Sequence, residues 1–194
     1  MALRAKKQKK FTPEEYLALE DKAEFRSEYW NGEIVKMSGG TGNHNTITLN
    51  VAGDLKAKLR EKCRTFAIDV KVWINNWKSY AYPDVFVICG ELKYYEKRRD
   101  IYTNPNLIVE VLSNGTKIFD KGDKFLAYQT IESLQEYILI DQYKFVVEQY
   151  FKEKDGKWTY KATIGQESEI TLNSVSQTIK LSEIYDLVDF EAEN

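Results

Sequence analysis

Tyr82-Pro83-Asp84-Val85-Phe86-Val87-Ile88, Leu107-Ile108-Val109-Glu110-Val111-Leu112, a helical segment from Asp120 to Thr130, and Tyr137 to Ile140 make up the stretch whose reading decides the fold. The first two are apolar runs of strand length, and each carries one acid. The helical segment places Lys124 in its first turn, and a closing strand follows. Burying a lone carboxylate among aliphatic residues is costly unless an ion or a cationic partner compensates. Two such strands point to one shared site rather than two accidents.

Working outward, the 194 residues suit one domain, with residues 1–10 as a basic tail and residues 11–194 as the folded part. A hydrophobic content of 43% supports a core, and 13 Tyr make the chain rich in aromatics. No apolar run approaches the roughly 18–20 residues that span a bilayer, and the start lacks the apolar core of a secretory signal. Two cysteines, Cys63 and Cys89, give no disulfide framework, so a reducing cytoplasm is the expected compartment. A formal net charge of -2 argues against a generally basic coat, although a local basic face suffices for phosphate contact.

Arg4, Lys6, Lys7, Lys9 and Lys10 make the tail either a solvated arm or a sequence-independent phosphate contact. Thr12-Pro13-Glu14-Glu15 has the form of a capping box with Pro at the first helical position. Asn31-Gly32 between Ser27–Trp30 and Glu33–Met37 predicts a hairpin, because both turn positions accept positive φ. Gly39 to Gly42 lacks the Lys-Ser/Thr ending of a phosphate loop and reads as a connector. From His44 to Lys62, the apolar residues Ile47, Val51, Leu55 and Leu59 predict a helix with one buried stripe. His44 is the only histidine, which excludes a zinc site built from several. It reads as a polar surface or capping residue, with contact to a ligand as the alternative.

Alternation from Phe66 to Ile74 predicts a strand paired as a hairpin with the Tyr82 strand. Between Glu91 and Asn106, Lys93, Lys97, Arg98 and Arg99 interleave with Tyr94, Tyr95 and Tyr102. That pattern suits either a solvated loop or a nucleic-acid contact. Asp120 is placed to cap the next helix, and Asp120, Lys124 and Tyr128 share a face through their spacing of four. A β-meander follows from Tyr137 to Thr163.

Asp84 and Glu110 offer hard oxygen ligands, so Mg²⁺ or Mn²⁺ is the natural ion. Such an ion acidifies bound water and neutralises charge growing on a phosphodiester. Lys124 beside it would position that water or stabilise the transition state.

The residues that carry these features resemble the Uma-two family of restriction-endonuclease-like proteins, within the PD-(D/E)XK nuclease superfamily. The matching segments are Tyr82 to Val85, Leu107 to Ser113, Asp120 to Lys124 with Tyr128, and Ser133 to Asp141. Thr12 to Leu17, Arg26, Glu28, Gly32 to Ile34 and His44 match upstream. The resemblance implies an α/β (α+β) fold, a restriction-endonuclease-like mixed β-sheet flanked by helices, with a C-terminal β-meander. It assigns Asp84 and Glu110 as metal-binding and catalytic acids, Lys124 as the catalytic lysine, and Glu28 as an additional acid near the metal. The lysine of the E-x-K motif would fall at Leu112, which cannot perform that role. The implied activity is Mg²⁺-dependent endonucleolytic cleavage of DNA, with a homodimer attractive for cutting two strands. The alternative is a nuclease fold that binds nucleic acid or a protein partner without cleaving.

Overall fold

The computed structural model describes residues 9–191. It opens with α1 (Pro13–Glu20), β1 (Ser27–Trp30), β2 (Glu33–Lys36), α2 (Gly42–Leu59), β3 (Cys63–Ala67) and β4 (Lys71–Ile74). A 3-10 turn leads to β5 (Ser79–Ala81), β6 (Val85–Cys89), β7 (Tyr94–Tyr95), β8 (Arg98–Tyr102) and β9 (Leu107–Leu112). Next come α3 (Lys117–Lys121), α4 (Asp123–Tyr128), β10 (Glu136–Asp141), β11 (Val146–Lys152) and β12 (Trp158–Ile164). The chain closes with β13 (Glu169–Leu172), β14 (Gln177–Lys180) and α5 (Leu181–Ile184).

The central sheet has the order β12-β11-β10-β9-β6-β3. Among the described residues its only parallel pair is β9 with β10, and α3 and α4 form the crossover that a parallel pair requires. A second sheet has the order β2-β1-β5-β4-β8-β7, and β13 and β14 make a separate hairpin. Strand β9 is buried on both faces. Leu107, Val109 and Val111 face α2 and α5, whereas Ile108 and Leu112 face α4 with Phe125 and Tyr128. Alternation therefore turns Glu110 toward α4 as well. Helix α2 buries Ile47, Val51, Leu55 and Leu59 against the sheet, each worth about 1.5–3 kcal/mol by area removed from water.

Local chemistry accounts for the starts and turns. Thr12 and Glu15 form the reciprocal capping box at α1. Asn31 and Gly32 hold φ of 45° and 100° in the two-residue turn that joins β1 and β2. Thr41 accepts from the His44 N–H, so α2 starts at Gly42, earlier than its apolar stripe indicates.

Four expectations need correction. The Phe66–Ile74 strand is broken at Ile68 and Asp69, whose φ values of 56° and 39° are left-handed. This break sends β3 to the central sheet against β6, and β4 to the second sheet against β5. A single alternating pattern conceals such a crossing, because both halves keep a period of two. The polar Glu91–Asn106 connection contains the β7–β8 hairpin. Asp120 caps nothing. It lies inside α3, and a break at Gly122 (φ -111°, ψ -106°) separates α3 from α4. The two cysteines are bonded to each other across β3 and β6.

The basic tail lies mostly outside the described residues. Of its lysines, Lys9 sits over the Phe11 ring at 4.9 Å, and the Lys10 stem packs on Gly32. No helix among the described residues is long and apolar enough to cross a membrane.

Candidate active site

The β6–β9 ladder brings the two acids together. Its outermost paired residues are Val85 and Val109, so the next step places Asp84 opposite Glu110. Asp84 Oδ2 accepts the Val111 N–H at 2.7 Å, a carboxylate standing in for a ladder carbonyl. His44 Nε2, from the first turn of α2, approaches the same oxygen at 3.2 Å.

Lys124 enters from α4. Its Nζ lies 2.9 Å from Glu110 Oε1, 3.4 Å from Asp120 Oδ1 and 3.5 Å from Glu28 Oε1. All four side chains are 10% exposed or less. Tyr128, one turn on, donates its hydroxyl to Glu110 Oε1 at 3.0 Å. Glu28 is fixed from its own side, accepting the Tyr82 N–H and the Trp30 Nε1–H, each at 2.9 Å.

These contacts shape the electrostatics. Burial pushes the Glu110 carboxyl well above 4.5. The Lys124 ammonium opposes the shift, while Asp84, Asp120 and Glu28 add to it. Burial raises Asp120 too, again against Lys124. For Lys124, burial acts to lower the pKa, but the surrounding acids outweigh it and hold the ammonium well above 10.5. Three carboxylates thus share one ammonium, and Asp84 adds its charge beside Glu110. Glu136 is a useful contrast. It is fully buried, yet Gln149 Nε2, the Asn173 and Ser174 N–H groups and the Ser174 hydroxyl all donate to it. Glu136 is a structural acid with its hydrogen bonds satisfied, whereas the acids at Lys124 outnumber the single ammonium among them.

A cleft of about 270 Å³ opens over Glu28, Asp84, Glu110, Asp120 and Lys124. The segments 35–40 and 113–119 form its rim. Among the described residues no three His, Cys, Asp or Glu side chains converge as a metal cage. The donor set suits a hard cation held by two carboxylates, with water or substrate oxygens completing its shell.

The fold gathers at one cleft Asp84 and Glu110, singled out by their strands, and Glu28 and Lys124, singled out by the resemblance. Two partners were read in the sequence without this role: Asp120, expected as a cap on the Lys124 face, and His44, expected as a surface or capping residue or a ligand contact, whose approach to Asp84 spans forty residues of chain. The spacing of four that joins Asp120, Lys124 and Tyr128 was the available signal for Asp120. Leu112, at the E-x-K lysine position, is 2% exposed in the apolar cluster. Lys93, Lys97, Arg98 and Arg99 lie in or beside the β7–β8 hairpin at the edge of the second sheet, and none lines the cleft. Arg98 is occupied by Asp21 and Asp100, and Arg99 sits over the Tyr94 ring.

A mixed sheet flanked by helices, with acids opposed across one antiparallel pair and a lysine brought in by the following helix, defines the restriction-endonuclease-like class. The chain belongs to the Uma2 family, whose model, described as "Putative restriction endonuclease", matches residues 13–182. It is 41% identical over 160 residues to "Uncharacterized protein sll1609" of Synechocystis sp. (strain ATCC 27184 / PCC 6803 / Kazusa), covering 82% of this chain and 90% of that one. A second protein of the same strain, "Uncharacterized protein slr1290", is 33% identical over 180 residues, with 91% and 92% covered. The fold is similar to a crystal structure described as "a putative nuclease belonging to DUF820 from Anabaena variabilis ATCC 29413". The TM-score is 0.77 at 18% identity, with 92% of this chain and 99% of that chain covered.

Proposed function

We propose that this chain is a metal-dependent endonuclease that hydrolyses phosphodiester bonds in DNA. The observation that carries the reading is the charge imbalance of the buried cluster. Glu28, Glu110 and Asp120 crowd Lys124 within 3.5 Å, and Asp84 stands across the ladder from Glu110. A divalent cation relieves such an imbalance, and a cleft leads to it.

Asp84 and Glu110 are the residues that hold Mg²⁺ or Mn²⁺, with Glu28 as a further acid beside them. The bound ion supplies Lewis acidity toward a phosphoryl oxygen and lowers the pKa of water. Lys124 keeps a full positive charge at the cleft floor, where it orients the attacking water or offsets charge on the phosphorane oxygens. Tyr128 and Glu110 fix the lysine's position. His44 and the Val111 N–H fix Asp84, so its carboxylate keeps one orientation. Lys93, Lys97 and Arg99 are the exposed cations proposed to contact nucleic-acid phosphates away from the cleft.

The test is cleavage of plasmid and oligonucleotide DNA in Mg²⁺ or Mn²⁺ by wild type, Asp84→Asn, Glu110→Gln and Lys124→Met. Products from wild type that each variant loses by at least about a hundredfold support the reading. Equal products from wild type and Glu110→Gln sink it. The apolar Leu112 at the E-x-K lysine position favours one second reading, a nuclease fold that binds without cutting. It predicts DNA binding with no products at any metal concentration.

A further inference from the structure

The catalytic cleft has a second lobe. About 200 Å³ of space adjoins the main cleft, with Met37, Ser38, Gly40, His44, Tyr82 and Asp84 lining both. At roughly 30 Å³ per water this holds about seven waters, enough for one ring system but not a base pair. Met37, Ile68 and Pro83 give it apolar walls, and Arg26 and Asn45 stand among them. Arg26 is steadied by Asp69, with Nε to Oδ1 at 3.2 Å.

Ile68 is the telling residue. It is β-branched, holds a φ of 56°, and remains 46% exposed. A branched side chain in the left-handed region is a conformational outlier, and this one is only about half buried in return. The surroundings nevertheless hold it there, because its N–H donates to the Asp84 carbonyl oxygen at 3.3 Å. The strained turn thus presents an apolar wall within one hydrogen bond of a catalytic acid.

We propose that this lobe receives the nucleobase adjoining the bond to be cleaved, so that the chain acts on nucleotides that are unpaired or turned out of the duplex. The proposal rests on the nuclease reading for its orientation: a phosphate over Asp84 leaves its own base in reach of the lobe. Apolar walls take the faces of a ring, and Arg26 and Asn45 offer donors to its edge or to the next phosphate. A base inside a duplex cannot enter, because stacking and pairing hold it.

The test compares a short labelled oligothymidylate with an oligomer of equal length whose bases are replaced by abasic tetrahydrofuran units. Binding is read by fluorescence anisotropy in Mg²⁺, in a Glu110→Gln background that prevents turnover. The normal oligomer should bind about tenfold tighter or more, and adding Ile68→Gly should bring the ratio close to one. Glycine accepts the positive φ, so the fold should persist, and Ile68→Asn provides a second variant that tolerates this region. Equal affinity for the two oligomers, no binding of either, or a ratio unmoved by Ile68→Gly overturns the proposal. Base-dependent binding without wild-type cleavage sinks the nuclease reading and leaves the lobe. Cleavage indifferent to bases does the reverse.

Discussion

Glu110 and Lys124 meet at 2.9 Å with both side chains almost wholly buried, one from the middle of β9 and the other from the start of α4. The ammonium serves two further acids from this position, so its removal uncovers all three.

Lys124→Met should therefore lower the unfolding free energy by about 3–5 kcal/mol near neutral pH, the usual cost of breaking a buried ion pair. The loss should shrink under acid conditions, where the uncovered carboxyls protonate and no longer repel. Urea unfolding in EDTA at two pH values measures both. The variant should also gain more thermal stability from Mn²⁺ than wild type does, since one positive charge has left the cluster. Equal stability of variant and wild type across the pH range would show that Lys124 does not neutralise these acids.

Leu112 supplies the second prediction. It shares a face with Glu110 but lies in the apolar cluster, so Leu112→Lys places an ammonium where the surroundings are Phe125, Tyr128 and Leu139. In the wild-type background this adds a second cation beside Lys124 and should destabilise by several kcal/mol. In the Lys124→Met background it supplies the charge that is missing. The double variant should thus be at least about 1 kcal/mol more stable than the sum of the single effects. Additive effects in a double-mutant cycle by urea unfolding would mean that a lysine at position 112 cannot reach the acids.

Much of this arrangement was legible in the sequence for a physical reason. An acid inside a buried strand has few explanations, and Glu110 with five aliphatic neighbours announced itself. The Asn31-Gly32 hairpin and the Thr12 capping box were readable because their determinants lie within four residues. What escaped were relationships set by tertiary geometry. The split of Phe66–Ile74 between two sheets depends on a left-handed turn at Ile68, where the residue type argues against positive φ. The contact of His44 with Asp84 requires the packing of α2 against β6. Asp120 has the composition of a cap, and only the break at Gly122 reveals that it belongs to the preceding helix.

Away from the cleft, Arg98 binds Asp100 through two nitrogens at 2.9 Å, and Lys71 reaches the same carboxylate at 3.2 Å. Chiefly the Arg98 hydrogen bonds, with help from Lys71, hold the Asp100 carboxyl well below its ordinary 3.8 against a smaller opposing effect of burial. A lowered carboxyl pKa contributes stability that is fully present above the unfolded value and disappears as pH falls below 3.8 toward the folded value. Asp100→Asn should cost about 1 kcal/mol near neutral pH, because its side chain is 43% exposed and solvent screens the pair. The cost should vanish at the acid end, flattening the acid limb of the stability profile. An acid limb identical to wild type would show that Asp100 is not held ionised.

The Cys63–Cys89 bond gives the last prediction. It joins directly opposed residues of β3 and β6 and closes a loop of sequence separation 26 that contains β4, β5 and Asp84. Restricting the unfolded chain over such a loop is worth about 3 kcal/mol in the chain-entropy account. Four further cross-strand pairs, from Arg64 with Ile88 to Ala67 with Val85, hold the same strands without it. Dithiothreitol should therefore lower the unfolding free energy by about 3 kcal/mol while leaving the folded state intact. The Cys63→Ser, Cys89→Ser double variant should show the same lowered value and no response to reductant. Because Asp84 is held by Val111 and His44 rather than by the disulfide, ion binding at the cleft should survive in both cases. A wild type whose unfolding is indifferent to dithiothreitol would mean that the two sulfurs are not bonded in solution.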